Sequence, residues 1–157
     1  MKTAIKAATL CAALLGGACL LPGAQGRELS ATHHIVNGMD VYLGVMPAAA
    51  VQALPSREQA EKAMHRGAAG AGAYHVNLSL FDASTHAGIR DAQVRVSVEQ
   101  AGTGGETRQL EPMSINGFVS YGNYFRMSNG SQPYVIDVQI ERPGLPEAHT
   151  RFQYQTF

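Results

Sequence analysis

Histidine and methionine are the residues of this sequence whose types and spacing could support chemistry. The histidines are His33, His34, His65, His75, His86 and His149, and past the first 26 residues the methionines are Met39, Met46, Met64, Met113 and Met127. Both cysteines, Cys11 and Cys19, fall within those first residues. The remaining chain is cysteine-free, so imidazole and thioether are the soft and borderline ligands it offers, a set that suits copper and Cu(I) in particular. Position selects four of them as a metal site: His34, Met46, His75 and Met113. His75 alternates with Val76 and Leu78 and is expected to face away from the main core. Met113 follows Pro112 and points outward if Leu110 points inward. His34 and Met46 lie at the two ends of a hairpin centred on Asn37-Gly38, and packing of that hairpin on the outer face of the His75 strand would bring the four together. The competing reading treats Met39, Met46 and Met127 as packing, because methionine fills irregular gaps. Met64-His65 reads as a favourable contact at a helix end, His33-His34 as an adventitious Cu(II) binder, and His86 and His149 as exposed loop residues.

A second candidate is aromatic. Tyr121-Gly122-Asn123-Tyr124-Phe125 clusters aromatic rings around a glycine, which inside a strand pattern marks a bulge or a close backbone approach. Tyr121, Asn123 and Tyr124 there could recognise a protein partner in the envelope; a tyrosine-lined sandwich edge is the alternative. Catalysis finds no support. The sequence has no Gly-x-Ser-x-Gly, no His-Glu-x-x-His and no phosphate-cradling loop. Glu106 and Glu111, separated by Arg108, read as solvated surface.

The elements that must position these residues divide into two zones. In residues 74–157, Tyr74, Val76, Leu78 and Leu80 alternate with His75, Asn77 and Ser79. Val94, Val96 and Val98 repeat the pattern, as do Ile136, Val138 and Ile140. Each is a strand with one buried and one wet face. Arg108 to Met113, Phe118 to Met127 and Thr150 to Phe157 are further strands. Gly102-Thr103-Gly104-Gly105, Asn129-Gly130 and Pro143-Gly144 punctuate them at hairpin spacing, which implies a sandwich and not a parallel sheet. Residues 27–73 form an extension. Asn37-Gly38 favours a type I′ turn, with one long bulged strand as the alternative. Ala48 to Ala53 could make a helical turn or two. Ser56 to His65 reads as a helix with a capping box, and Gly67 to Gly72 as a flexible linker.

Residues 1–26 read as a cleavable signal peptide. Lys2 and Lys6 form a positive start, an uncharged apolar run comes next, and Ala24-Gln25-Gly26 supplies the small residues of a cleavage site. Gly16-Gly17 and Pro22-Gly23 interrupt the run, which is too short for a membrane span. Cys19 after Gly16-Gly17-Ala18 is the weaker, lipoprotein alternative. The whole chain has 12 basic and 12 acidic residues. Loss of Lys2 and Lys6 leaves two more acids than bases, which argues against nucleic-acid or anionic-membrane partners. The chain is expected in the periplasm or outside the cell, as a single domain that stands without disulfides.

Phe81 to Val94, FDASTHAGIRDAQV, has an Asp closing one strand, a Ser/Thr turn, and an apolar residue with Asp-Ala-x-Val opening the next. This stretch resembles the strand junction of exported bacterial immunoglobulin-like domains, of the YtkA-like and carboxypeptidase-regulatory kinds. The resemblance implies an immunoglobulin-like antiparallel β-sandwich, and for YtkA-like domains a link to metal, particularly copper, handling. Function is therefore expected to be metal binding or delivery without catalysis, or else a protein-interaction or envelope accessory role.

Overall fold

A computed structural model describes residues 32–52, 70, 72–102, 104–115, 117–128 and 130–156. The segments expected to be a signal peptide (1–26) and a helix (56–65), and most of the expected glycine linker, lie outside the described residues. Eight strands run in the order β1 (His33–Val36), β2 (Met39–Pro47), β3 (Ala73–Asp82), β4 (Gln93–Gln100), β5 (Glu106–Ile115), β6 (Phe118–Arg126), β7 (Tyr134–Glu141) and β8 (Ala148–Tyr154), with a short helix α1 (Ala48–Gln52) after β2. Asn37 and Gly38 take φ of 46° and 74°, the two positive values a type I′ turn needs, and β1 and β2 form the expected hairpin.

All pairings are antiparallel, in the spatial order β1-β2-β3-β6-β5-β4-β7-β8. β5 turns the corner between the two layers. Its first half pairs with β4 up to Leu110↔Val94, and its second half pairs with β6 from Glu111↔Gly122 onward. The outer strands β1 and β8 meet on the far side, where Nδ1 of His34 lies 2.7 Å from Oγ1 of Thr150 and its ring stacks on Phe152 at 4.4 Å. The result is the mainly β sandwich expected from the alternating patterns, with the immunoglobulin-like antiparallel architecture that the resemblance implied, closed almost into a barrel. Val41, Val76, Leu78 and Leu80 of one layer and Val94, Val96, Ile136 and Val138 of the other fill its interior. Each is a position that period-two alternation points inward, and full burial of such a side chain contributes about 1.5–3 kcal/mol.

The Phe81–Val94 junction works as its residue types imply. The Asp82 carboxylate accepts hydrogen bonds from the hydroxyl and amide of Ser84 and of Thr85. Ile89 plugs the core, its amide donating to the Leu80 carbonyl. Tyr121 reaches this loop from β6: its hydroxyl donates to the Ile89 carbonyl at 3.1 Å and accepts from the Ala92 amide at 3.2 Å. The Ser84 hydroxyl first, then the Thr85 amide and hydroxyl, hold the Asp82 carboxyl well below the usual carboxylate range. A depressed folded-state pKa adds stability that is present above the unfolded carboxylate pKa, near 4, and is lost as pH falls toward the folded value. Asp82→Ala is therefore expected to be less stable than the parent at neutral pH, with the difference shrinking as pH drops below about 4. Urea melts across pH 2–7 check this, and a gap that does not narrow in acid would contradict it.

Candidate metal centre

Alternation sends every second side chain of β2, β3, β6 and the second half of β5 away from the sandwich interior. Registers place these in rows on the outer face of the first layer. One row is Met46, His75 and Tyr124. The next is Gly44, Asn77, Gly122 and Glu111. Met113 comes beside Ser120 in a third. Side chains on such a face are normally wet, yet His75 is 4% exposed and Met113 is 3% exposed. Met113, Ala48 and Val51 are buried without belonging to the main core cluster. α1 lies against β2 and β3. The first layer is thus covered on both sides around His75, which the alternation alone does not predict.

Gly122 is the centre of this patch. A β-carbon there would stand 2.6 Å from the Met113 methyl carbon, 2.7 Å from Nε2 of His75 and 2.9 Å from its Cε1. The imidazole and the thioether therefore enter one slot from strands on either side of β6, and that slot exists because residue 122 has no side chain. The Tyr124 ring packs on the imidazole at 5.0 Å. Nε2 of the ring is fully buried and makes no hydrogen bond, while the residue keeps other contacts, Tyr124 among them. Asn77 leans away, its carboxamide lying over Gly44. The donor chemistry at the slot is one nitrogen and one thioether sulfur, with Met46 paired to His75 on the flanking strand. Among the described residues no three or more of His, Cys, Asp and Glu are grouped so as to hold a metal ion. The slot fits a soft, low-charge ion, and it does not resemble a site for a hard dication.

Three of the four candidate ligands thus occupy one region, and His34 does not. Its β1 position pairs with Val41, which turns the ring inward onto Phe152 and Thr150 at the β1–β8 seam. The Asn37-Gly38 hairpin forms, but it lies in the sheet plane beside β3 and does not fold over the His75 face. The aromatic segment also divides. Tyr121 is 1% exposed and, with its hydroxyl engaged by the Ile89–Ala92 loop, presents no surface to a partner; burial raises its phenol pKa. Asn123 donates to the Gln109 carbonyl and accepts from the Tyr124 amide. Tyr124 is half-buried against His75.

Two features of this face were not expected from the sequence. Gly122 is the residue that opens the slot, and its sequence signal was the glycine inside a strand pattern. At the β1 end of the same face, Nε2 of His33 lies 2.7 Å from Oδ1 of the buried Asp40, and Nδ1 of His86 lies 4.0 Å from Oδ2. His33 also stacks on Tyr42 at 4.3 Å. This carboxylate with its two imidazoles ties β1 and the β3–β4 turn to β2.

No protein-family model matches the sequence, and no curated protein does. Solved structures do. A DUF4426 family protein of Pseudomonas aeruginosa superposes with a TM-score of 0.63 at 17% identity, over 80% of this chain and 93% of that one. A copper-bound variant of P19 from Campylobacter jejuni gives 0.62 at 12% identity, over 81% and 95%. A copper-bound variant of FetP from uropathogenic Escherichia coli gives 0.59 at 15% identity, over 80% and 89%. At these identities the likeness is one of fold. It supports the sandwich that the resemblance implied, under family names other than YtkA-like or carboxypeptidase-regulatory.

Proposed function

We propose that this chain is an exported, non-enzymatic copper-binding protein that holds Cu(I) through Nε2 of His75 and the thioether of Met113, with Met46 beside them. The observation that carries the reading is the convergence of imidazole and thioether on Gly122, with both side chains buried from water. Soft sulfur with imidazole suits Cu(I), and a monovalent ion among neutral side chains avoids the desolvation penalty of a buried dication. That two neighbours of the same fold, P19 and FetP, are copper-bound structures supports it further. Export to the periplasm accords with the amino-terminal signal pattern and leaves the soft chemistry to His and Met, since both cysteines belong to that pattern.

The test is a Cu(I) competition titration against a chromophoric chelator. The parent should bind one equivalent. Removal of groups that merely orient a ligand weakens metal sites 10–100-fold, so loss of a ligand itself in His75→Ala should weaken binding by about 100-fold or more. Binding left unchanged by His75→Ala would end this reading.

A further inference from the structure

We infer that the outer face of the second layer holds a site for a small oxyanion, a carboxylate or a phosphate, bound by the Arg95 guanidinium beside the Gln139 carboxamide. The site lies on the layer opposite the His75–Met113 slot, so the inference goes beyond the copper reading and does not rest on it.

β4, β7, β8 and the first half of β5 make up this layer. Its outer face forms an open basin of about 610 Å³, within the size range of small-molecule sites. Residues 137–139 of β7 form the floor, Arg95 and Ser97 of β4 line one side, and His149 and Arg151 of β8 line the other. Register orders these side chains in two rows. Arg95, Gln139 and His149 are cross-strand partners in one, and Ser97, Asp137 and Arg151 in the next. Neighbouring strands run about 4.8 Å apart, so Arg95 and His149 flank Gln139 across roughly 10 Å of backbone. That span has room for a small anion above the carboxamide.

The rows differ in charge. Asp137 is answered by Arg151, whose Nε donates to its Oδ1 at 2.6 Å. The Arg95 row carries no carboxylate at all; its side chains offer N–H donors from a guanidinium, a carboxamide and an imidazole. Arg95 is exposed, and among the described residues it has no hydrogen bond and no ion pair. Of the carboxylates just outside the lining, Glu99 accepts from the Ser97 hydroxyl at 3.3 Å and Glu147 lies 3.4 Å from Nε2 of His149. The lining itself therefore keeps one positive charge that no lining carboxylate answers. Arginine's planar fork matches the two oxygens of a carboxylate or phosphate, whereas a metal cation would be repelled from it. A chain with 12 basic and 12 acidic residues does not attract a polyanion, so the ligand that fits is a small one.

Calorimetric titration of the full chain at low ionic strength, with inorganic phosphate and separately with citrate, tests this. At least one of the two should bind at a single saturable site, and the one that binds tells a phosphate from a carboxylate ligand. Arg95→Gln should weaken that binding about 10-fold or more, because a hydrogen-bonded charge is lost from the site. Arg95→Lys, which keeps the charge without the fork, should fall between. Arg126→Gln removes the same charge from β6 of the first layer and should leave affinity within about 2-fold, since exposed charges more than a Debye length apart are screened. A urea melt accompanies each variant. Failure of both anions to saturate the protein at about 10 mM, or equal weakening by Arg95→Gln and Arg126→Gln, would overturn the inference.

Discussion

Gly122→Ala should fold and should not hold copper. The added β-carbon would lie 2.6 Å from the Met113 methyl and 2.7 Å from Nε2 of His75, well inside van der Waals contact. Both obstructing atoms are far ends of side chains, so the strand itself has no need to break. The thioether and the imidazole would swing apart, and the two donors would no longer share a point. Overpacking of this kind costs about 1–3 kcal/mol, which a small domain of ordinary stability survives. Copper affinity is expected to drop about 100-fold, read by chelator competition alongside a urea melt showing a cooperative transition. Gly44→Ala is the matched control. Its β-carbon meets the Asn77 carboxamide and leaves His75 and Met113 where they are, so it should lose comparable stability and keep its copper. If Gly44→Ala lost the metal and Gly122→Ala retained it, the slot would be misplaced.

Tyr121→Phe should be among the most destabilising single-atom changes in the molecule, without affecting copper. The hydroxyl is buried and serves two backbone groups across 32 and 29 residues of sequence, the Ile89 carbonyl and the Ala92 amide. Its removal leaves both short of a partner where water is largely excluded. Abandoned buried groups cost about 1–3 kcal/mol, and a loss near 2 kcal/mol would lower the melting temperature by roughly 5–10 °C. The ring stays buried, and residue 121 keeps its register between Leu78 and Pro112, so β6 should hold Gly122 in position. A thermal melt with a copper titration checks both halves. A melting temperature within about 1 °C of the parent would show that this hydroxyl does not fasten the loop.

The same tyrosine shows why one class of inference from sequence succeeded and another did not. Period-two alternation in Tyr74–Leu80, Val94–Val98 and Ile136–Ile140 identified three central strands and their buried faces, because a strand's geometry repeats every two residues wherever it sits. Asn37-Gly38 announced its turn, because positive φ is a local demand. Asp82, Ser84 and Thr85 announced theirs, because the hydrogen bonds that close it span three residues. Tyr121 looked like surface because it lies in a cluster of polar aromatics. Its parity within β6, which decides between core and solvent, depends on pairing Tyr121 with Leu78, and nothing near residue 121 encodes that pairing.

The candidate metal centre divides along the same line. Residue types alone limited any soft-metal chemistry to histidine and methionine once both cysteines fell within the amino-terminal segment. Alternation alone turned His75 away from the sandwich interior. Which of the available ligands would meet was a matter of register between strands far apart in sequence. β3 meets β6, and β6 meets β5, so His75 and Met113 come together at Gly122 across 38 residues of chain. His34, nearer to Met46 in sequence, is carried by the β1–β2 pairing to the opposite seam beside Phe152. Local geometry repeats and can be read from one segment; the meeting of distant strands is a property of the whole sheet, and only the tertiary structure decided it.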